Sequence, residues 1–121
     1  MKRLFIILSI ILLINSYYAN SQIEYSVDKW MEYVEELALE TEDTERIESL
    51  YADLSYLIEH PFDLNAVTEE QLKRLPFLSD RQIEQLLSYR KRYGNMVSIY
   101  ELKNIEDIDF QTISLLLPFV I

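Results

Sequence analysis

Apolar side chains follow one another along this chain in three rhythms. From Leu4 to Ile14 they are continuous apart from Ser9. From Val27 to Ile58 they return every three or four positions, the spacing that lays one face of a helix against a core. One stripe is Val27, Trp30, Met31, Val34, Leu37 and Ala38, and a second is Ile47, Leu50, Tyr51, Leu54, Leu57 and Ile58. Ser26 suits the N-cap of the first helix. The polar stretch Glu40 to Glu45 suits a connection. Pro61 ends the second helix, because a residue before Pro is pushed out of helical φ/ψ. Two amphipathic helices in succession predict a helical hairpin over 22–60, packed on the rest of the chain.

The third rhythm is an internal repeat over 68–117, at an offset of thirty. Thr68-Glu69-Glu70-Gln71-Leu72-Lys73 corresponds to Ser98-Ile99-Tyr100-Glu101-Leu102-Lys103. Leu75 then matches Ile105, Leu78 matches Ile108, Ser79 matches Asp109, Gln82 matches Thr112, Ile83 matches Ile113, and Leu86 and Leu87 match Leu116 and Leu117. A repeated run of apolar positions and helix starts marks two copies of one supersecondary unit. Thr68 with Gln71, and Ser79 with Gln82, each make a capping box, in which the hydroxyl accepts from the N3 amide while Gln reaches back. They predict a short helix over 69–74, a turn at Pro76-Phe77-Leu78, and a longer helix that ends before Gly94. In the second copy Ser98 and Glu101 cap a short helix, Ile105 to Ile108 turns, and Asp109 caps a helix over 110–117 that Pro118 stops. The expected fold class is therefore all-α.

Two short-helix, turn, longer-helix units in tandem resemble the helix-hairpin-helix family. Asp63-Leu64-Asn65-Ala66-Val67-Thr68-Glu69-Glu70-Gln71-Leu72 is similar to the start of the domain found in ComEA-type competence DNA receptors and in the second domain of the Holliday-junction protein RuvA. Ser88-Tyr89-Arg90-Lys91-Arg92-Tyr93-Gly94-Asn95-Met96-Val97-Ser98 is similar to its connector. The resemblance covers 61–121, about half of the chain, and implies a tandem helix-hairpin-helix domain there. In DNA-binding members, it further implies, each hairpin carries Gly-hydrophobic-Gly, and its amides meet phosphate with a monovalent cation sometimes assisting. The physical need is close approach without a Cβ, and amide donors for an anion.

Here the corresponding positions are Phe77-Leu78-Ser79 and Asp107-Ile108-Asp109, with Pro76 and Glu106 preceding them. None of the four glycines is present. Carboxylates at Glu106, Asp107 and Asp109 oppose the phosphate attraction that dominates sequence-independent binding. Lys73, Arg74 and Arg81 lie near the first turn, and Arg90, Lys91 and Arg92 lie late in the longer helix. These six are the candidate nucleic-acid contacts. The bland reading of the last three is complementation of the helix dipole. Phe77 either packs against the Trp30 helix or stands out as a contact, and large aromatics favour burial.

Charge separates the two halves. With 11 basic and 21 acidic residues the chain has a formal net charge of −10. Residues 22–60 hold Lys29 and Arg46 against twelve acids, net −10, whereas 61–121 hold seven basic and nine acidic residues, net −2. The acids at Glu40 to Glu48 lack the Gly-containing loop that focuses calcium ligands, so a solvated acidic face is expected.

The chain starts basic at Lys2 and Arg3, and its first apolar run is too short for the ~20 residues of a spanning helix. Ala19-Asn20-Ser21 then offers small residues at a cleavage site before Gln22. That order predicts a secretory signal peptide over 1–21, with no membrane span after cleavage. The processed chain has 9 basic and 21 acidic side chains, net −12. With no Cys, disulfides and thiolate sites are excluded, and one Gly excludes a glycine-rich phosphate loop. His60, beside Pro61, suits a helix-end cap rather than catalysis, and the Tyr residues suit the edge of a core. No cofactor, metal site or catalytic residue is expected. The apolar end Leu115 to Ile121 either packs back or leads into further chain. The expectation is an exported, non-catalytic interaction module, alone or as the N-terminal part of a larger exported protein. Its partner would be a protein or a downstream domain. The alternative is sequence-independent binding of double-stranded DNA.

Overall fold

The computed structural model describes residues 2–121, with side chains throughout except at residues 4 and 12–28. The side chains of the expected cleavage pattern at Ala19, Asn20 and Ser21, and those of Tyr17, Tyr18, Tyr25, Ser26 and Val27, lie outside the described residues. The chain is all-α, as the apolar rhythms require. Its elements are α1 (Lys2–Glu40), α2 (Thr44–Glu59), α3 (Glu69–Leu72), α4 (Asp80–Tyr93), a 3-10 helix (Ile99–Asn104), α5 (Phe110–Leu116) and a closing 3-10 turn (Leu117–Phe119). Among the described residues none of these helices is long and apolar enough to cross a membrane.

One helix start differs from expectation. Ser26 lies inside α1, which is unbroken over Lys2–Glu40. No Gly or Pro interrupts this stretch, and extending an existing helix fixes one residue per added bond, whereas starting one fixes three. The connection after it behaves as read: Asp43 Oδ1 accepts from the Arg46 N–H at 3.0 Å and caps α2. At the other end His60 donates both its backbone N–H and, through Nδ1, its ring toward the Tyr56 carbonyl, each at 3.0 Å, while its ring stacks on Tyr56.

The repeat is visible in burial and in hydrogen bonds. Leu72 and Leu102, Leu75 and Ile105, Leu78 and Ile108, Ile83 and Ile113, and Leu86 and Leu116 are all buried. The turn bonds recur as well: Leu75 N–H to Leu72 O and Ile105 N–H to Leu102 O, then Leu78 N–H to Leu75 O and Ile108 N–H to Ile105 O, all at 3.0 to 3.2 Å. Both capping boxes form with both arms. The second copy departs at its start. Ser98 accepts from Tyr100, Glu101 Oε1 accepts from the Val97 N–H instead of Ser98, and the segment winds as a 3-10 helix. β-Branched Ile99 and aromatic Tyr100 are poorer α formers than the Glu69-Glu70 pair they replace. Pro118 likewise stands within the closing 3-10 turn, and α5 ends at Leu116.

One core serves both halves. Trp30 and Val34 of α1 and Leu54 and Leu57 of α2 join the buried residues of the repeat in a single cluster. Its aromatic centre is Phe119, fully buried, with Trp30 at 6.3 Å and Phe77 at 5.7 Å between ring centroids. The apolar end of the sequence thus packs back. A parallel bridge joins Phe62 to Val120 and is held by three backbone bonds: Phe62 N–H to Phe119 O, Ile121 N–H to Phe62 O and Leu64 N–H to Ile121 O.

Candidate functional site

The two turns of the repeat sit side by side, because the N3 residues of α4 and α5 meet. Gln82 Nε2 donates to the Asp107 carbonyl at 2.9 Å and lies 3.5 Å from Thr112 Oγ1. Gln82 and Thr112 are equivalent in the repeat, so the copies touch at matching positions. Three of the backbone donors here are committed internally. Leu78 N–H bonds Leu75 O, Ser79 N–H bonds Gln82 Oε1, and Ile108 N–H bonds Ile105 O.

A carboxylate of the second turn is held against α4. Asp107 Oδ2 accepts from Arg81 Nε and Gln85 Nε2, each at 2.6 Å. Asp109 is held by the Thr112 backbone N–H and by its hydroxyl, each at 2.7 Å. Those bonds, the backbone one foremost, keep its carboxyl below the usual carboxylate range. Phe77 does not project as a contact. It packs edge-on against Tyr33 of α1 at 6.0 Å and on Phe119, as the burial argument favoured. Pro76 stays exposed beside it, and Ser79 is used as a cap. Glu106 is exposed on the rim of the second turn, and Ile108 is buried beneath it.

The six candidate cations do not share one face. Arg90 turns inward and donates to the carbonyls of Val67 at 2.7 Å and Leu64 at 3.3 Å, tying α4 to the segment before α3. Arg81 is bound to Asp107. Arg81 and Lys91 are ten residues apart along α4, about 15 Å at the helical rise. Lys73 pairs with Glu69 at 3.0 Å, which raises its pKa above the ordinary lysine value, chiefly through that side-chain hydrogen bond. Lys73 and Lys91 border one shallow cleft together with Glu69, Asp80 and Glu84, so acids outnumber bases there. Arg92 lies over the Tyr93 ring at 5.4 Å. Arg74 stands apart, in a different cleft with Tyr56, His60 and Gln71.

Sequence reasoning passed over the pairing of Asn65, the bond of Gln82 across the repeat, Gln85 and the inward role of Arg90. Asn65 pairs its side-chain amide with both backbone groups of Met96, at 2.7 and 2.9 Å, as a neighbouring strand would. The signal for Gln82 was present. A Gln at N3 spends its oxygen on the cap and keeps an NH2 group for another acceptor. The expectation for the tyrosines holds for Tyr33 and Tyr89, which pack against the core, and for Tyr51, whose ring meets Trp30 at 5.3 Å although the side chain is half exposed. Tyr56, Tyr93 and Tyr100 are exposed.

Comparison with protein-family models, with curated proteins and with solved structures finds no match to this chain in any of the three.

Proposed function

We propose that the chain is an exported, non-catalytic interaction module, in which a tandem helix-hairpin-helix scaffold over 61–121 serves as a packing frame for protein contacts. The observation that carries this reading is the Asp107 carboxylate of the second turn, held on α4 by Arg81 and Gln85. A turn that grips phosphate needs amide donors turned outward and no anion before them. Here Leu78, Ser79 and Ile108 spend their amides internally, and the Asp107 carboxylate takes up Arg81, a cation near the first turn. The equal burial of residues thirty apart supports the tandem scaffold.

The export part of the proposal draws on exposure. Phe5, Ile6, Ile7, Leu8, Ile10 and Ile11 are each about half exposed or more, with Lys2 and Arg3 before them. An apolar run of this kind on the surface is a targeting or docking element rather than core. Among the described residues the core begins only at Trp30, beyond the expected cleavage point. N-terminal sequencing of the exported chain is expected to read Gln22-Ile23-Glu24.

A titration with a DNA duplex of about 20 base pairs at low salt tests the rest. The expected result is no saturable binding. Saturable binding that falls steeply with salt, and is lost on Arg74→Glu with Lys91→Glu, replaces this reading with the DNA-binding one.

A further inference from the structure

A cleft of about 590 Å3 opens where α1 and α2 meet the first turn of the repeat. Tyr33 and Leu37 line it from α1, Leu50 from α2 and Pro76 from the turn, while Glu40 and Asp53 stand among the same lining residues. Tyr33 and Leu50 lean on the core, but Leu37 is not among the side chains packed there. An apolar cleft edged by charge is a surface waiting for a complementary one.

The sign of that charge selects the occupant. The cleft itself is lined by Glu40 and Asp53 with Arg46, and the surrounding residues 35–53 add Glu35, Glu36, Glu42, Asp43, Glu45 and Glu48 with no further cation. Such a field repels nucleic acid and other anions, and it raises the local concentration of cations. Burial first, and Glu40 second, raise the Tyr33 pKa. Apolar walls under an acidic rim fit an amphipathic helix that has apolar residues on one side and Lys or Arg flanking them.

We propose that this cleft docks a basic amphipathic segment of a partner protein, its apolar side chains entering between Tyr33, Leu37, Leu50 and Pro76 and its cations meeting Glu40 and Asp53. This names the partner chemistry of the interaction module and rests on that reading. Because Pro76 belongs to the first turn and Leu50 to α2, the docked segment bridges the helical pair and the repeat.

The test uses the full chain in mild non-ionic detergent and a fluorescent amphipathic Leu/Lys peptide of about 14 residues, read by anisotropy. A Lys/Ser peptide of equal charge is the control. Burying one leucine is worth roughly 1.5–3 kcal/mol, about ten- to a hundredfold in affinity. The Leu/Lys peptide is expected to bind at least about tenfold more tightly than the control, and Leu37→Ser to remove about tenfold of that. Glu40→Gln with Asp53→Asn is expected to weaken binding and flatten its salt dependence, while Glu69→Gln with Glu70→Gln, on α3, leaves both unchanged. Circular dichroism confirms that each variant keeps its helices. Absence of binding, equal binding of the two peptides, or equal loss with the α3 variant overturns the proposal. Any of these leaves the DNA titration, and the module reading it tests, unaffected.

Discussion

Asp109 shows how one side chain can close a turn and report its own state. Its carboxylate takes both the amide and the hydroxyl of Thr112, which satisfies a donor that the helix cannot. Replacing an N-cap acid by Ala costs ~1 kcal/mol, so Asp109→Ala is expected to lower stability by about that amount in urea denaturation at pH 7. The folded carboxyl titrates below its unfolded value. Its contribution is therefore complete above the unfolded pKa of about 3.9 and fades as pH falls through the lower, folded one. The stability gap between the native chain and Asp109→Ala is expected to shrink when denaturation is repeated below about pH 3.5. Gly94 poses a different demand. Its φ of 81° and ψ of −160° fall in a region that only glycine occupies comfortably, while a Cβ there would touch nothing within 4 Å. The cost of Gly94→Ala is thus backbone strain alone, about 1–3 kcal/mol, and differential calorimetry is expected to show a lowered midpoint with the fold retained.

Within α4, three consecutive cations have three different situations. Arg90 donates to the Leu64 and Val67 carbonyls, Arg92 covers Tyr93, and Lys91 borders the cleft it shares with Lys73. In sequence they form one basic cluster, since a linear pattern shows charge but not the direction each side chain takes around a helix. Hydrogen bonds to a charged group contribute about 1.5–3 kcal/mol. Arg90→Met is expected to cost about that much in guanidinium denaturation, whereas Lys91→Gln stays within about ±0.5 kcal/mol, as exposed substitutions usually do. The caps at Thr68, Ser79 and Asp109 were legible because a cap is local, needing only residues within three positions of each other. The 3-10 winding of Ile99–Asn104 was not, because α and 3-10 geometry share their start signals and differ by small energies that neighbouring packing decides.

Across the whole molecule, Phe119 joins parts that the sequence leaves separate. It touches Trp30 of α1 and Phe77 of the first turn, and its carbonyl holds Phe62. Phe119→Ala is expected to cost about 3–5 kcal/mol in urea denaturation, with the Trp30 emission tracking the same transition as the far-ultraviolet signal. Removal of residues 1–21 is expected to leave that midpoint unchanged. The sequence by itself determined the all-α class, the stripes of α1 and α2, the repeat and its caps, because all of these depend on spacing along one chain. It also determined that neither turn of the repeat carries a glycine. Only the tertiary structure decided that one core unites the halves, that the apolar end pairs with Phe62, that Arg90 faces inward and that Asp107 pairs with Arg81 and Gln85 of α4. Those outcomes depend on which surfaces meet across tens of residues, where many pairings satisfy the same apolar pattern and shape complementarity selects among them.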